Sequence, residues 1–347
     1  MNFKDMEKTN KLHYAKQALL AVIILITAAS CDNADNGKKT LVKSKGLPSE
    51  LLVVVDRDVW KTDLRDTIEN IVEAQVTGLM QAEKMFRITR IFSDNYERTY
   101  TTMHSKLFVH VDPSIKKTIM GINRDVTARP QIEVTITSPT PDQLRDYLHR
   151  NSQQIQDIIA DAQIDMRVAQ LRKKYSKRVS DDLHKTLGMT IRVPENLTAT
   201  KRGKDFLWGG TNLNQKDLNI VIYRYDWDGS NEFDLTRYVS KRDSVMKINI
   251  PGERADQWME TTREKDQPLA FGRTRHIDGK QVYEVRGLWQ VRNAALGGPF
   301  VSLVRIDSTT HQVIAAEGFV YSPSTDKRDL LRQMEAALRT LEKTRTK

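Results

Sequence analysis

Aromatic side chains recur at every second position on two predicted strands in the second half of the chain. Tyr223, Tyr225 and Trp227 fall on one face of the first strand, and Tyr283 and Trp289 share a face of the second. Because successive side chains of a strand point to opposite sides of a sheet, each set forms an aromatic surface. Aromatic surfaces with arginine and amide groups beside them can bind a glycan or a peptide.

The candidate ligand-binding residues combine this aromatic pattern with nearby glycine turns and a strand exit. They are Trp208, Tyr225, Trp227, Trp289 and Arg292. Trp208 precedes two glycines, and Arg292 follows the strand that carries Trp289. The competing interpretation is that alternating aromatic residues fill a core beneath the last helix, since aromatic side chains on strands usually pack.

Motifs typical of catalysis or metal binding are absent from the sequence. No HExxH, GxSxG or P-loop occurs, and the 7 histidines are scattered along the chain. Asp56 and Asp58 follow a predicted buried strand, but loop acids at such positions usually form turns or caps. The sequence therefore predicts no catalytic residue, cofactor or metal. The alternative function is a hydrolase of envelope polymers, whose catalytic group would have to assemble from distant residues.

Cys31 is the single cysteine of the chain and follows an apolar segment. The segment Ala18–Ser30 is preceded by lysines and ends in small residues, as export signals do. It is too short to span a bilayer, which takes roughly 20 residues. Small residues directly before a cysteine resemble a bacterial lipobox, in which the cysteine is lipidated. The sequence predicts a signal peptide over 1–30 and a palmitate-bearing anchor at Cys31, holding the protein in the cell envelope at the outer membrane.

Charge and composition restrict the partners. The chain of 347 residues has 55 basic and 45 acidic residues, for a net charge of +10. Basic residues are mixed with acids and form neither an arginine-rich arm nor an RNA-recognition pattern, so no nucleic-acid partner is expected. We expect a solvated basic surface near anionic envelope components. The predicted partners are the membrane, through the lipid anchor, and an envelope protein or glycan.

The pattern of polar and apolar segments predicts four parts. A signal peptide covers 1–30, a flexible lipid-anchored tether covers 31–48, an N-terminal domain covers 49–176, and a C-terminal domain covers 177–347. Thr140, Pro141 and Asp142 predict the start of a helix that extends to about Tyr175. A helix of that length either breaks or bridges the two domains.

The fold class predicted for both regions is α+β. The N-terminal region opens with the apolar run Leu51–Val55 and later alternates apolar and polar residues over 132–137, as a half-buried strand does. The C-terminal region contains hairpin-forming strands and a final helix with one apolar stripe. Each region is expected to form a mostly antiparallel sheet covered by helices. The order of elements in the second region resembles the Mog1/PsbP-like fold.

Several segments carry a more specific resemblance. They are Leu51–Asp56 with Val59 and Trp60, Ala128–Gln131, Arg286–Trp289 and Gly297–Phe300. In these segments the chain resembles an uncharacterised lipoprotein family of Bacteroidota, a domain-of-unknown-function family, over roughly Gly46 to Leu341. The resemblance implies an envelope lipoprotein and supplies no activity or site residue. The expected function is therefore a lipid-anchored, non-catalytic binding or assembly module.

Overall fold

The structure is a computed structural model that describes residues 40–230 and 233–344. The predicted signal peptide over 1–30, the lipidation site Cys31 and the first half of the predicted tether lie outside these residues. The described residues from 41 onward form one compact unit. Among the described residues, no helix is long and apolar enough to cross a membrane.

The first half of this unit is built on a five-stranded sheet with the strand order β3-β2-β4-β7-β5. In chain order its elements are β1 (Val42–Lys43), β2 (Glu50–Val55), α1 (Arg57–Trp60), α2 (Leu64–Val72), β3 (Arg87–Phe92), a 3-10 turn (Ser93–Asn95), α3 (Arg98–Thr101), β4 (Ser105–Val111), β5 (Ile119–Arg124), β6 (Ala128–Arg129), β7 (Ile132–Ser138) and α4 (Pro141–Leu171). Helices α2 and α4 cover one face and share its apolar core.

The second half is built on an eight-stranded sheet with the order β12-β16-β17-β18-β11-β10-β9, in which β15 also pairs with β16. Its elements are α5 (Lys177–Leu187), β8 (Met189–Thr190), β9 (Ala199–Gly203), β10 (Phe206–Gly210), β11 (Asp217–Asp226), α6 (Leu235–Asn249), β12 (Met259–Thr261), β13 (Arg263–Glu264), β14 (Gln267–Pro268), β15 (Ala270–Ile277), β16 (Lys280–Val291), β17 (Gly297–Asp307), β18 (Gln312–Tyr321), α7 (Arg328–Arg339) and β19 (Glu342–Lys343).

The α+β class is confirmed, and the second sheet is antiparallel throughout, as predicted. The prediction of a mostly antiparallel first sheet was wrong. Strand β2 pairs in parallel with β3 and β4, β4 pairs in parallel with β7, and only β5 runs antiparallel. Alternating apolar residues indicate which face of a strand is buried but not the direction of its neighbour, so the pattern over 132–137 could not decide this point.

The second half of the predicted tether over 31–48 includes residues that pair with the folded unit. Val42 and Lys43 pair with Ala128 and Arg129 in a parallel two-stranded ladder, and Lys45 bridges to Met103. These contacts use backbone groups, which a polar sequence does not reveal. The chain therefore joins the folded unit several residues earlier than its composition indicates.

Helix α4 begins as predicted and runs unbroken to Leu171. The Thr140 hydroxyl accepts a hydrogen bond from the Gln143 N–H at 3.3 Å, and Pro141 occupies the first turn. Its Ile155 and Ile159 belong to the core of the first sheet, whereas Leu171 belongs to the core of the second. The helix thus bridges the two sheets.

The second sheet is covered on both faces. Helices α5 and α7 and the end of α4 cover one face, where the apolar side chains are mostly aliphatic. Helix α6, which the sequence analysis missed, covers the opposite face, where the aromatic residues lie. Charged residues are spread around α6, so its sequence has little apolar periodicity from which a helix could be predicted.

Candidate ligand-binding sites

The five sequence-predicted binding residues do not form one site. Trp208 and Trp289 line a groove of about 550 Å³ at one end of the second sheet. Tyr225 and Trp227 line a separate cavity of about 220 Å³ next to α6. Arg292 lines neither. The structure therefore brings the predicted residues together as two pairs.

The competing interpretation, that aromatic residues fill a core, describes several of these side chains. Tyr223 is 1 % exposed and Trp289 is 6 % exposed, and both belong to the core cluster that includes Tyr238 and Met246 of α6. The covering helix is α6 and not the last helix of the chain, which packs on the opposite face. Trp208, Tyr225 and Trp227 are only partly buried at the margin of this core.

The groove lined by Trp208 and Trp289, which we call the aromatic groove, crosses the strands. The Trp208 indole N–H donates to Asn219 Oδ1 at 2.9 Å on the neighbouring strand. The Trp289 ring meets Phe319 edge-on, with ring centroids 5.4 Å apart and an interplanar angle of 70°. The residues at the end of α6, including Pro251, line it as well. Both tryptophan rings are thereby held in fixed orientations.

The charged groups that line the aromatic groove are already engaged with the protein. Lys201 donates to the Asn249 carbonyl at 2.8 Å. Asp217 Oδ1 accepts from the Thr211 hydroxyl at 2.6 Å and from the Leu213 N–H at 3.1 Å. The accessible surface that remains is largely apolar and includes two exposed side chains, Leu213 at 53 % and Leu296 at 44 %. The groove therefore offers apolar contacts more than charged ones.

The cavity at Tyr225 and Trp227 is smaller than the aromatic groove, and its aromatic side chains contact other groups of the protein. The Trp227 indole N–H donates to the Ser230 carbonyl at 2.9 Å, and its ring stacks on His311 with centroids 6.2 Å apart. Burial raises the pKa of Tyr225 to about 12, and Lys241 lies 5.1 Å from the centre of its ring. Tyr225 thus remains a neutral hydrogen-bonding group at physiological pH.

Arg292 directly follows β16 and lines neither cavity, although the preceding Val291 lines the aromatic groove. Its guanidinium lies 5.0 Å from the centre of the Trp258 ring and 3.7 Å from a carboxylate oxygen of Glu260. The side chain is half exposed. It therefore does not serve as the cationic group beside the Trp208 and Trp289 rings that the sequence pattern predicted.

Sequence reasoning missed a third cavity, of about 330 Å³, which we call the arginine cavity. Five arginines line it, contributed by β15, β16 and α7: Arg273, Arg275, Arg286, Arg328 and Arg332. Helix α4 contributes Asp157 and Asp161, β16 contributes Glu284, and α7 contributes Glu335. The sequence predicted that the basic residues form a solvated surface. Arg328 and Arg332 of this cavity are instead buried.

The carboxylates of this cavity are paired with its arginines. Arg273 contacts Asp157 with both terminal nitrogens at 3.0 Å, and Arg275 contacts Asp161 at 2.7 Å. Burial alone would raise the pKa of Glu284, but the charges of Arg286 and Arg273 outweigh it and keep that pKa below its usual range. The sequence did contain a signal for this cavity. Charged residues occupy alternate positions of two adjacent strands, and such side chains share a face of the sheet.

The charged groups at the carboxyl ends of the parallel strands resemble an active site only superficially. Asp56 Oδ1 accepts from the Ser93 hydroxyl at 2.5 Å and lies 2.9 Å from His110 Nδ1. Ser93 is therefore bonded to the carboxylate and not to the imidazole that could activate it as a nucleophile. Asp58 is exposed and pairs with Lys61 at 3.2 Å. Across residues 40–230 and 233–344, no group of three or more His, Cys, Asp or Glu side chains is placed to hold a metal ion.

Comparisons with known proteins match two family models to different parts of the chain. Residues 176–340 match the model of DUF4837, a domain of unknown function, and residues 44–172 match that of DUF8532, another domain of unknown function. Both halves thus match uncharacterised domains. The boundary between the two matches lies between α4 and α5. No curated protein matches the chain.

Among solved structures, the chain is similar to the Ran-binding protein Mog1p of Saccharomyces cerevisiae. The match covers 45 % of this chain and 90 % of that chain, with 7 % identity and a TM-score of 0.28. A TM-score this low supports no conclusion about function.

Proposed function

We propose that this protein is a lipid-anchored protein of the cell envelope that binds a partner without catalysing a reaction. Lipidation of Cys31 would hold the folded unit close to a membrane, since acyl chains partition into the bilayer. The single observation that supports the binding role is the aromatic groove, which combines two fixed tryptophan rings with exposed leucines at Leu213 and Leu296.

The chemistry of the groove favours a peptide with apolar side chains over a glycan. A glycan needs free hydrogen-bonding groups beside an aromatic face, whereas Lys201, Asp217 and Asn219 are already bonded within the protein. Apolar side chains need only a surface from which water is displaced, and aromatic residues are enriched where such contacts carry the binding energy. We therefore propose an apolar segment of another envelope protein as the partner.

Site-specific photo-crosslinking in the native envelope tests this function. A photoreactive amino acid at Leu296 should crosslink to a defined partner protein, whereas the same residue at Ile248 should not. Ile248 is the matched control because it is exposed by 78 % and does not line the groove. Leu213→Asp should abolish the crosslink at position 296, since it places a charge beside the apolar contact.

Two results would contradict the proposal. Equal crosslinking from positions 248 and 296 would show that the groove is not selective. Crosslinks from position 296 to glycan alone would show that the ligand is a glycan and not a peptide. Leu213→Asp is a substitution of an exposed side chain, so it should leave the melting temperature of the protein within a few degrees of the parent value.

A further inference from the structure

Arg332 is a buried cation whose hydrogen-bonding capacity is only partly used. Its side chain lies in α7 and is 5 % exposed. One terminal nitrogen, Nη1, donates to Ser49 Oγ at 2.8 Å and to Gln163 Oε1 at 2.8 Å. Within the described part of the chain, no carboxylate forms an ion pair with Arg332, and its Nε and Nη2 atoms have no hydrogen-bond partner. Both acceptors that it does have are neutral.

The surroundings of Arg332 carry an excess of positive charge. Three arginines share the single carboxylate of Asp329: Arg87 at 2.9 Å, Arg328 at 3.2 Å and Arg167 at 3.4 Å. The pKa of Arg332 is lowered to about 9, chiefly by burial and also by the charges of Arg328 and Arg167, while the acids nearby oppose this shift. A buried charge without a counterion is costly, so this arrangement gains free energy when an anion enters.

Arg286, also in the lining of the arginine cavity, pairs with two carboxylates and still has one more donor. Arg286 donates from Nε to Glu284 at 2.9 Å and from Nη2 to Glu335 at 2.5 Å. In the described residues its remaining terminal nitrogen, Nη1, has no partner. Arg286 and Arg332 both line the cavity. The unpartnered donors therefore lie on two arginines that border one space.

Apolar side chains complete the cavity. Met85, Ile164 and Leu331 line it together with the arginines, and Phe271 lines it while remaining 58 % exposed. A volume of about 330 Å³ falls at the lower end of the range for small-ligand sites, which begins at roughly 300 Å³. The site thus offers cationic donors and an apolar surface of limited size.

We propose that the arginine cavity binds a small organic anion, with the carboxylate or phosphate group of the ligand held by Arg332 and Arg286. Planar guanidinium groups bind such oxyanions through paired, charge-assisted hydrogen bonds. The apolar part of the ligand packs against Leu331 and Met85. This proposal is independent of the aromatic groove, which lies at another place on the second sheet.

Three probes of equal chain length test the site: hexanoate, hexyl phosphate and hexanol. Isothermal titration calorimetry with the folded protein should detect binding of hexanoate or hexyl phosphate and no binding of hexanol. The bound anion should also raise the melting temperature, because a ligand that binds only the folded state stabilises it. Comparison of the two anions identifies the preferred group. Binding of neither anion at millimolar concentration, or equal binding of hexanol, would overturn the proposal.

Two variants locate the binding. Arg332→Gln should lower the affinity for the anion by about tenfold or more, since a charged hydrogen bond is lost. Phe271→Glu should also lower this affinity, because it places a carboxylate in the cavity lining. The matched variant Phe271→Gln should not. Phe271 is exposed, so this pair remains informative even where Arg332→Gln fails to fold. Unchanged affinity in Arg332→Gln, or equal affinity in the two Phe271 variants, would show that the anion binds elsewhere.

Discussion

Arg242 and Glu317 form a bidentate ion pair in which neither side chain is exposed to solvent. The guanidinium Nε and Nη2 atoms donate to the two carboxylate oxygens at 2.8 and 2.6 Å. Glu317 also accepts from Ser302 Oγ at 2.8 Å, and the guanidinium lies 4.1 Å from the centre of the Phe300 ring. Because Arg242 belongs to α6 and Glu317 to β18, the pair joins this helix to the aromatic face of the sheet.

Removing one member of this pair should be far more damaging than removing both. We expect Arg242→Met to lower the free energy of unfolding by about 3–5 kcal/mol, since it leaves the Glu317 carboxylate buried without a counterion. The double variant Arg242→Met with Glu317→Met should recover most of this loss. Urea unfolding of the parent, both single variants and the double variant gives the coupling energy. A double variant as unstable as the sum of the single ones would contradict the expectation.

Acid should lower the free energy of unfolding by protonating Glu284 in the arginine cavity. The folded-state pKa of this carboxyl lies below its ordinary value of 4.5, because the charges of Arg286 and Arg273 outweigh the opposing effect of burial. The resulting stabilisation is fully present above the unfolded-state pKa and is lost as the pH falls below it towards the folded-state value. Free energies of unfolding measured in urea from pH 7 to about 3 should decline in this window.

Glu284→Gln provides the comparison for this pH dependence. The variant lacks the titrating carboxyl, so its free energy of unfolding should decline less steeply below pH 4.5 than that of the parent. It should also be less stable than the parent at neutral pH, where the ionised carboxylate contacts three arginines. An identical acid slope in parent and variant would show that other carboxylates dominate.

Close packing of α7 against the second sheet depends on Gly318. A Cβ at this position would overlap the Cβ of Met334 on the helix, whereas a Cβ at Gly121 would meet nothing within 4 Å. We expect Gly318→Ala to lower the free energy of unfolding by about 1–3 kcal/mol through overpacking. Gly121→Ala, the matched control on the first sheet, should change it by no more than about 0.5 kcal/mol. Equal effects in thermal or urea unfolding would exclude the proposed contact as the cause.

Membrane attachment should depend on Cys31 alone. Cys31→Ala removes the thiol that would be acylated, so we expect the protein to move from the membrane fraction to the soluble fraction. The melting temperature of the folded unit should stay the same, since that unit begins at Leu41. Fractionation followed by immunodetection measures the distribution. Retention of the variant in the membrane fraction would refute the lipid anchor.

Local patterns in the sequence were sufficient for several elements of the fold. Thr140 and Pro141 predicted the start of α4, and Gly188, with φ of 67°, ends α5 where a left-handed residue is needed. The alternating residues over 132–137 correctly predicted a strand with one buried face. These features depend on backbone preferences and on side chains a few residues apart, which a single sequence displays directly.

The binding sites depended on contacts between distant parts of the chain. Trp208 and Trp289 meet in one groove although 81 positions separate them in the numbering, whereas Tyr225 and Trp227 lie elsewhere. The hydrogen bonds of Arg332 likewise join it to the distant residues Ser49 and Gln163. No local pattern encodes such pairings, because strand order and helix placement decide them.

By itself, the sequence determined the α+β class, the boundaries of its strongest elements and the candidate anchor at Cys31. Only the tertiary structure decided which strands run parallel, which helix covers the aromatic face and which charges are buried. The physical reason is that amphipathic periodicity specifies that a face is buried without specifying its partner. For Arg332 the difference is decisive, since the same residue is an ordinary basic group in the sequence and a buried cation without a carboxylate partner in the described structure.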